Sequence, residues 1–260
     1  MPPSFHKTIR ADPGQVAELG AAFAEFADAH AVPAGVRRSL SVAFDELLNN
    51  TIAYGFAGRG AGEVRIEVEL RADRVCATLS DDGRAFNPLE MAAPDTALSV
   101  EARRVGGLGI HLVRRMMDEV GYQRRADRNV VTLAKLLTGG TGAGRSGGRS
   151  MDITTRTQNG VALVALAGKL DSNTSPQAQQ ALDAILASGA KQMVVDFTAL
   201  DYISSAGLRV LLGTAKRLSG AGGALRLFGL NETVREVFDI SGFSTILAVS
   251  ATEADALKGL

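Results

Sequence analysis

The chain has 260 residues, 46% hydrophobic and 22% charged, which is the profile of two globular domains and not of a disordered chain. Lys/Arg and Asp/Glu number 28 each and also balance locally, 17 against 18 over residues 1–140 and 9 against 10 over residues 151–260; neither half carries the basic excess of a direct nucleic-acid binder. A single cysteine, Cys76, excludes an internal disulfide framework, and the lack of any long apolar run or N-terminal signal segment leads us to expect a cytoplasmic protein with no membrane contact.

The first 137 residues read as an opening strand (5–10), a helix (13–30) and a second helix (33–54). Alternating apolar residues then mark strands at "EVRIEVEL" and "RVCATLS". A polar stretch with Pro88 and Pro94 follows, then a helix opening at "GGLG" and two closing strands near 119–124 and 130–136. The pattern predicts an α+β sandwich with helices on one face of a mostly antiparallel sheet. Residues 138–150, "TGGTGAGRSGGRS", have nothing to bury and read as a flexible linker. Met151 directly after it suggests two proteins joined head to tail, by gene fusion or by construction; the linker arginines favour a natural join.

Residues 151–260 open on a hairpin with an Asn159-Gly160 turn. A helix near 175–187, the apolar strand "QMVVDF", and a helix from Ser205 follow. That last helix carries Leu208, Leu211, Leu212, Ala215 and Leu218 on one stripe. A strand ("ALRLFGL"), a helix over 232–240 and a short terminal pair complete an α/β domain with a small mixed sheet. The two halves show no internal repeat.

Three stretches of the first half point to a nucleotide, although no P-loop occurs. In "FDELLNNTIAYGF", Leu40, Phe44, Leu47, Leu48 and Thr51 form a core stripe, and Glu46 and Asn50 share one flank of it. A carboxylate beside a carboxamide can hold Mg²⁺ and orient a hydroxyl. Asp45 and Asn49 have the same spacing, so geometry does not choose between the pairs, and either could be a solvated flank. In "LSDDGRAFNP" a strand ends at Asp81, whose carboxylate could accept from an exocyclic amine, with Gly83 admitting a ligand to the backbone; turns use the same residues. In "RRVGGLGIHLVRRMMDEV", Gly106, Gly107 and Gly109 open a helix with Ile110, Val113 and Met117 inward, a phosphate cradle or merely a loop.

In this order the stretches resemble the N, G1 and G2 boxes of the GHKL ATPase superfamily, and within it the anti-sigma-factor serine kinases of bacterial partner switching. The resemblance covers residues 5–137. It implies a Bergerat-type ATP site in which Glu46 is the general base, Asn50 the Mg²⁺ ligand, Asp81 the adenine-reading carboxylate, and Gly83, Gly107 and Gly109 the loop glycines. The ATP lid would run over residues 89–105, with Arg103 and Arg104 as phosphate contacts. A sensor histidine kinase shares this fold but needs a phosphoacceptor histidine on a dimerising helix. His6, His30 and His111 are the only histidines, and none has that setting. Tyr54 stands where the kinases often have histidine.

"LVALAGKLDSNTS" with "MVVDFTALDYISSAGLRVLL" resembles the STAS domain of anti-sigma-factor antagonists, many of which are phosphorylated on one serine at a helix N-terminus. Matching Gly207 and Leu208 to that family's "GL" places Ser205 at the phosphoacceptor and Ser204 where an aspartate is usual. Asp171 and Asp196 are the nearest substitutes for that carboxylate. Helix capping is the plain alternative role for both serines, and it is compatible with phosphorylation.

The reading that follows is a fused partner-switching regulator. An ATP- and Mg²⁺-dependent serine kinase domain would bind a target such as a sigma factor and phosphorylate Ser205, in its own chain or in a neighbour within a homodimer. The alternative is a non-catalytic scaffold that uses ATP structurally or not at all. A 13-residue linker spans about 20 Å root-mean-square, which sets an effective concentration of roughly millimolar.

Overall fold

The computed structural model of the chain describes residues 2–58, 60, 62–91, 107–137 and 151–260. They divide into two compact units: the described residues of 2–91 and 109–137 form one, and 151–260 together with Gly107 and Leu108 the other.

The first unit runs β1 (Ser4–Arg10), α1 (Pro13–Ala29), α2 (Ala34–Asn50), a π-helical turn (Thr51–Gly55), β2 (Glu63–Leu70), β3 (Arg74–Asp81), α3 (Leu108–Met116), β4 (Glu119–Arg125) and β5 (Arg128–Leu136). Its five strands pair in the order β1-β2-β3-β5-β4, every pair antiparallel. Alternation decides which face is buried: Val64, Ile66 and Val68 of β2 and Val75, Ala77 and Leu79 of β3 point inward. Leu19 and Phe23 of α1, Leu40, Phe44, Leu47 and Leu48 of α2, and Ile110 and Val113 of α3 cover that face, with Met117 just beyond α3. α1 starts where Asp12 accepts from the Gly14 N–H, with Pro13 at the first helical position.

One expected helix, 33–54, is two elements. The α-helix ends at Asn50, and the next five residues form a π turn closed by the Phe56 N–H on the Thr51 carbonyl at 3.2 Å. Thr51, expected on the core stripe, is only half-buried.

The second unit runs β6 (Asp152–Gln158), β7 (Val161–Leu170), α4 (Ser175–Ala187), β8 (Gln192–Ile203), α5 (Ser205–Gly220), β9 (Ala224–Phe228), α6 (Glu232–Ile240), β10 (Ala248–Ser250) and α7 (Glu253–Leu257). The sheet order is β10-β9-β8-β7-β6, parallel except for the β6–β7 hairpin. That hairpin turns at Asn159 and Gly160, both at positive φ (52° and 80°), the twist a two-residue hairpin needs. Leu208, Leu211, Leu212, Ala215 and Leu218 of α5 are all buried. β8 extends six residues past "QMVVDF", because two register shifts against β7 break the alternation there while the pairing continues to Ile203.

Candidate functional site

Glu46 and Asn50 sit on the last two turns of α2. Glu46 is 4% exposed, and the Asn50 side-chain amide donates to the Glu46 carbonyl at 2.7 Å. With its N–H₂ end so used, Asn50 keeps its carboxamide oxygen as the acceptor end. The rival pair is closed on itself: the Asn49 amide donates to both the carbonyl (2.6 Å) and the carboxylate (3.1 Å) of Asp45. Burial and hydrogen bonding therefore separate two pairs that spacing could not.

The π turn carries the chain from this pair to the second motif. Gly55 arrives with its carbonyl accepting the Arg84 N–H at 3.0 Å. A Cβ on Gly83 would lie 2.9 Å from the Gly55 oxygen and 2.8 Å from Asp81 Oδ1. Glycine is thus required at 83 by the protein's own backbone, whatever a ligand needs. Tyr54, beside Gly55, is exposed and stacks on Phe86 at 5.3 Å between ring centres.

Asp81, the last residue of β3, is 6% exposed. Its Oδ1 accepts from the Gly83 N–H (2.9 Å) and from Asn129 Nδ2 (2.8 Å). Burial pushes the carboxyl above its ordinary range, while the Asn129 and Gly83 hydrogen bonds and the Arg124 and Arg128 guanidiniums pull it back part of the way. Asn129 faces Asp81 directly across the β3–β5 ladder. Sequence reasoning missed it, although "RNVVTL" places a polar residue in the inward phase of Val131 and Leu133, 48 positions from a carboxylate.

Of the third motif, Gly107 has φ +75°, the left-handed conformation that suits glycine before a helix. Gly109 lies within the first turn of α3 and not ahead of it. Gly106, Arg103, Arg104 and the lid expected beyond Met91 lie outside the described residues.

In the second unit Ser204 caps α5. Its hydroxyl accepts from the N–H groups of Ala206 (3.2 Å) and Gly207 (3.4 Å), and its own N–H donates to the Leu170 carbonyl at 2.9 Å. Ser205 is the first helical residue and only 4% exposed. Asp171 follows Leu170 and so lies beside this joint, but its Oδ1 is taken by the Asn173 and Thr174 N–H groups and the Thr174 hydroxyl. Asp196 is not near it. Seven residues of β8 lie between it and Ser204, and because its stretch to Ile203 runs beside β7 from Ala165 to Leu170, they cover about 17 Å of strand. It sits opposite Ala165 and Phe228 with its carboxylate on the Thr198 N–H. Because the strand continues past "QMVVDF", Asp196 is carried to mid-sheet, which removes it as a substitute carboxylate.

No three histidine, cysteine or acidic side chains among the described residues cluster as a metal site, and no described helix is long and apolar enough to cross a membrane.

Comparison with known proteins follows this division. The family model described as the histidine kinase-like ATPase domain matches residues 9–135, and that of the STAS domain matches residues 152–256. A Bordetella bronchiseptica protein named "Putative anti-sigma factor antagonist BtrV" is 42% identical over 100 residues, 38% of this chain and 86% of that protein. A serine/threonine-protein kinase of the same organism, BtrW, is 30% identical over 100 residues, 38% of this chain and 70% of that protein. The crystal structure of an anti-sigma factor antagonist from Mycobacterium paratuberculosis is 25% identical, covering 42% of this chain and 92% of that one, with a TM-score of 0.40. The chain belongs, in its first half, to the histidine kinase-like ATPases related to anti-sigma serine kinases and, in its second, to the STAS anti-sigma factor antagonists.

Proposed function

We propose that the protein is a partner-switching regulator whose ATPase unit binds ATP and phosphorylates a STAS serine, Ser205 of its own or a neighbouring chain, and also binds a further protein target such as a sigma factor. The domain limits are taken as 1–137 and 151–260, joined by 138–150. The observation that carries this reading is the π turn, which brings the helix of Glu46 and Asn50 against the Asp81–Gly83 loop. Two motifs distant in sequence are thereby joined through Gly55, Gly83 and Arg84, with a buried acid in each.

The residues fit an ATP·Mg²⁺ substrate. Mg²⁺ bound with phosphates takes one or two protein oxygens and keeps its waters, so the single carboxamide oxygen of Asn50 suffices. ATP supplies the phosphoryl group, and the metal neutralises its charge. Asp81 would receive the base's exocyclic amine, and the backbone N–H groups of Gly107 and Gly109 would serve the phosphates. Glu46 accepts the proton of the serine hydroxyl as its oxygen forms the new bond to the γ-phosphorus. The bond to the β,γ-bridging oxygen breaks, and ADP keeps its electron pair.

Incubation of the full chain with ATP and Mg²⁺, followed by mass spectrometry, should find phosphate on Ser205. Glu46→Ala should slow the labelling about 100-fold or more, while Asp45→Ala should not. Equal labelling of wild type and Glu46→Ala sinks the assignment.

The burial of Ser205 favours a second reading, a protein-binding scaffold without phosphoryl transfer. A serine residue only 4% exposed reaches a kinase only if the start of α5 opens. Nucleotide that binds without turnover selects that reading.

A further inference from the structure

Asn129 makes five hydrogen bonds, and they fix its orientation. Its Oδ1 accepts from the Phe86 N–H (3.2 Å), the Tyr122 hydroxyl (2.8 Å) and the Arg124 guanidinium (2.9 Å). Its Nδ2 donates to the Arg84 carbonyl (2.7 Å) and to Asp81 Oδ1 (2.8 Å). A flipped amide would turn N–H₂ toward an N–H and a guanidinium, and oxygen toward a carbonyl and a carboxylate. At 3% exposure those mismatches would be costly, so one orientation holds.

The consequence falls on Asp81. Among the described residues, both hydrogen bonds to its carboxylate land on Oδ1, from Gly83 and Asn129. These two donors fix the plane of the group and leave Oδ2 as the oxygen that faces a ligand. A carboxylate so held offers an acceptor. It attracts an amine N–H and repels a carbonyl oxygen.

We infer that Asn129 is the positioning residue for nucleotide choice: by saturating Asp81 Oδ1 it presents Oδ2 as a fixed acceptor, selecting a 6-amino purine over a 6-oxo purine. This rests on the reading of Asp81 as the base-contacting acid. Asn129 itself touches no ligand. Arg124 contributes by holding both the Asn129 oxygen and the Gly83 carbonyl (3.0 Å), so one guanidinium ties the amide to the loop.

ADP and IDP differ at that 6-position and transfer no phosphoryl group to serine, so calorimetric affinities on the full chain isolate recognition from catalysis. Wild type should prefer ADP by about tenfold or more, the worth of a hydrogen bond to a charged acceptor. Asn129→Ala and Asn129→Asp should bring the ADP/IDP ratio to within about threefold of unity, because Asp81 loses a donor or gains a repelling oxygen. Tyr122→Phe should keep the ratio, since the two other donors still set the amide. The ratio is read on one folded population, so a loss of stability alone leaves it unmoved; should Asn129→Ala not fold, Asn129→Asp decides. A wild-type chain that binds neither nucleotide overturns the ATP-site reading and this inference with it. A wild-type preference that survives in either Asn129 variant overturns the inference alone.

Discussion

The Ser204 hydroxyl and the Gly207 N–H, 3.4 Å apart, close the first turn of α5 immediately beneath Ser205. The cap and the proposed acceptor are therefore neighbours with separable roles. Ser204→Ala should cost the STAS unit about 1 kcal/mol, the usual worth of an N-cap. Ser204→Asp should retain the cap, since aspartate caps as well as serine. It also restores a carboxylate next to Ser205, so labelling of Ser205 should quicken. Thermal melting and timed mass spectrometry read the two effects, and a Ser204→Asp chain as unstable as Ser204→Ala contradicts the first.

Gly207 is fixed by packing. A Cβ there would lie 2.6 Å from Leu170 Cγ, 2.7 Å from the Leu170 carbonyl and 2.8 Å from Ile203 Cγ1. Six residues along the same helix, a Cβ on Gly213 would meet nothing within 4 Å. Gly207→Ala should destabilise the unit by about 1–3 kcal/mol, and Gly213→Ala should stabilise it by about 0.5–1 kcal/mol through helix propensity. Denaturant melts of the two variants should move in opposite directions. A shared direction refutes the packing argument.

Asp81 makes stability depend on pH with a definite sign. Its folded-state carboxyl is raised, chiefly by burial, against the hydrogen bonds of Asn129 and Gly83 and the charges of Arg124 on β4 and Arg128 on β5. A raised acid favours the fold when protonated, and that contribution is lost as pH rises through the folded value. Asp81→Asn keeps an oxygen for both Oδ1 donors and removes the charge. It should melt higher than wild type at neutral pH, with the gap closing as pH falls toward the ordinary value of 3.8. A gap that stays constant over that range, or that opens on acidification, contradicts the assignment. The same variant should lose its preference for ADP.

The layers were legible because periodicity reports burial. Val64, Ile66 and Val68 alternate as an inward face must, and Leu208, Leu211, Leu212, Ala215 and Leu218 recur as a helix stripe must. The Glu46/Asn50 and Asp45/Asn49 pairs share one spacing, and only the fold shows that Glu46 is the more buried acid and that the Asn49 amide bonds to the Asp45 carboxylate. Asn129 escaped because its meaning lies in strand register, a relation across 48 residues that no local pattern carries. Asp196 misled for the opposite reason: it is close to Ser204 in sequence, but an extended strand turns a short separation into a long distance. The burial of Ser205 depends on how α5 packs in the fold, which composition does not encode.

The π turn after Asn50 has a consequence of length. An α-helix advances 100° per residue, and five residues closed by the Phe56-to-Thr51 hydrogen bond hold one more residue than an α-helical turn of that hydrogen-bonding pattern. Deleting any one of them would let α2 run on in phase, yet it would swing Gly55 away from Arg84 and Gly83. The segment is thus forgiving about which residues it holds and strict about how many. The helix keeps a reading frame, and Gly55 meets Arg84 and Gly83 in register only while that extra residue stays.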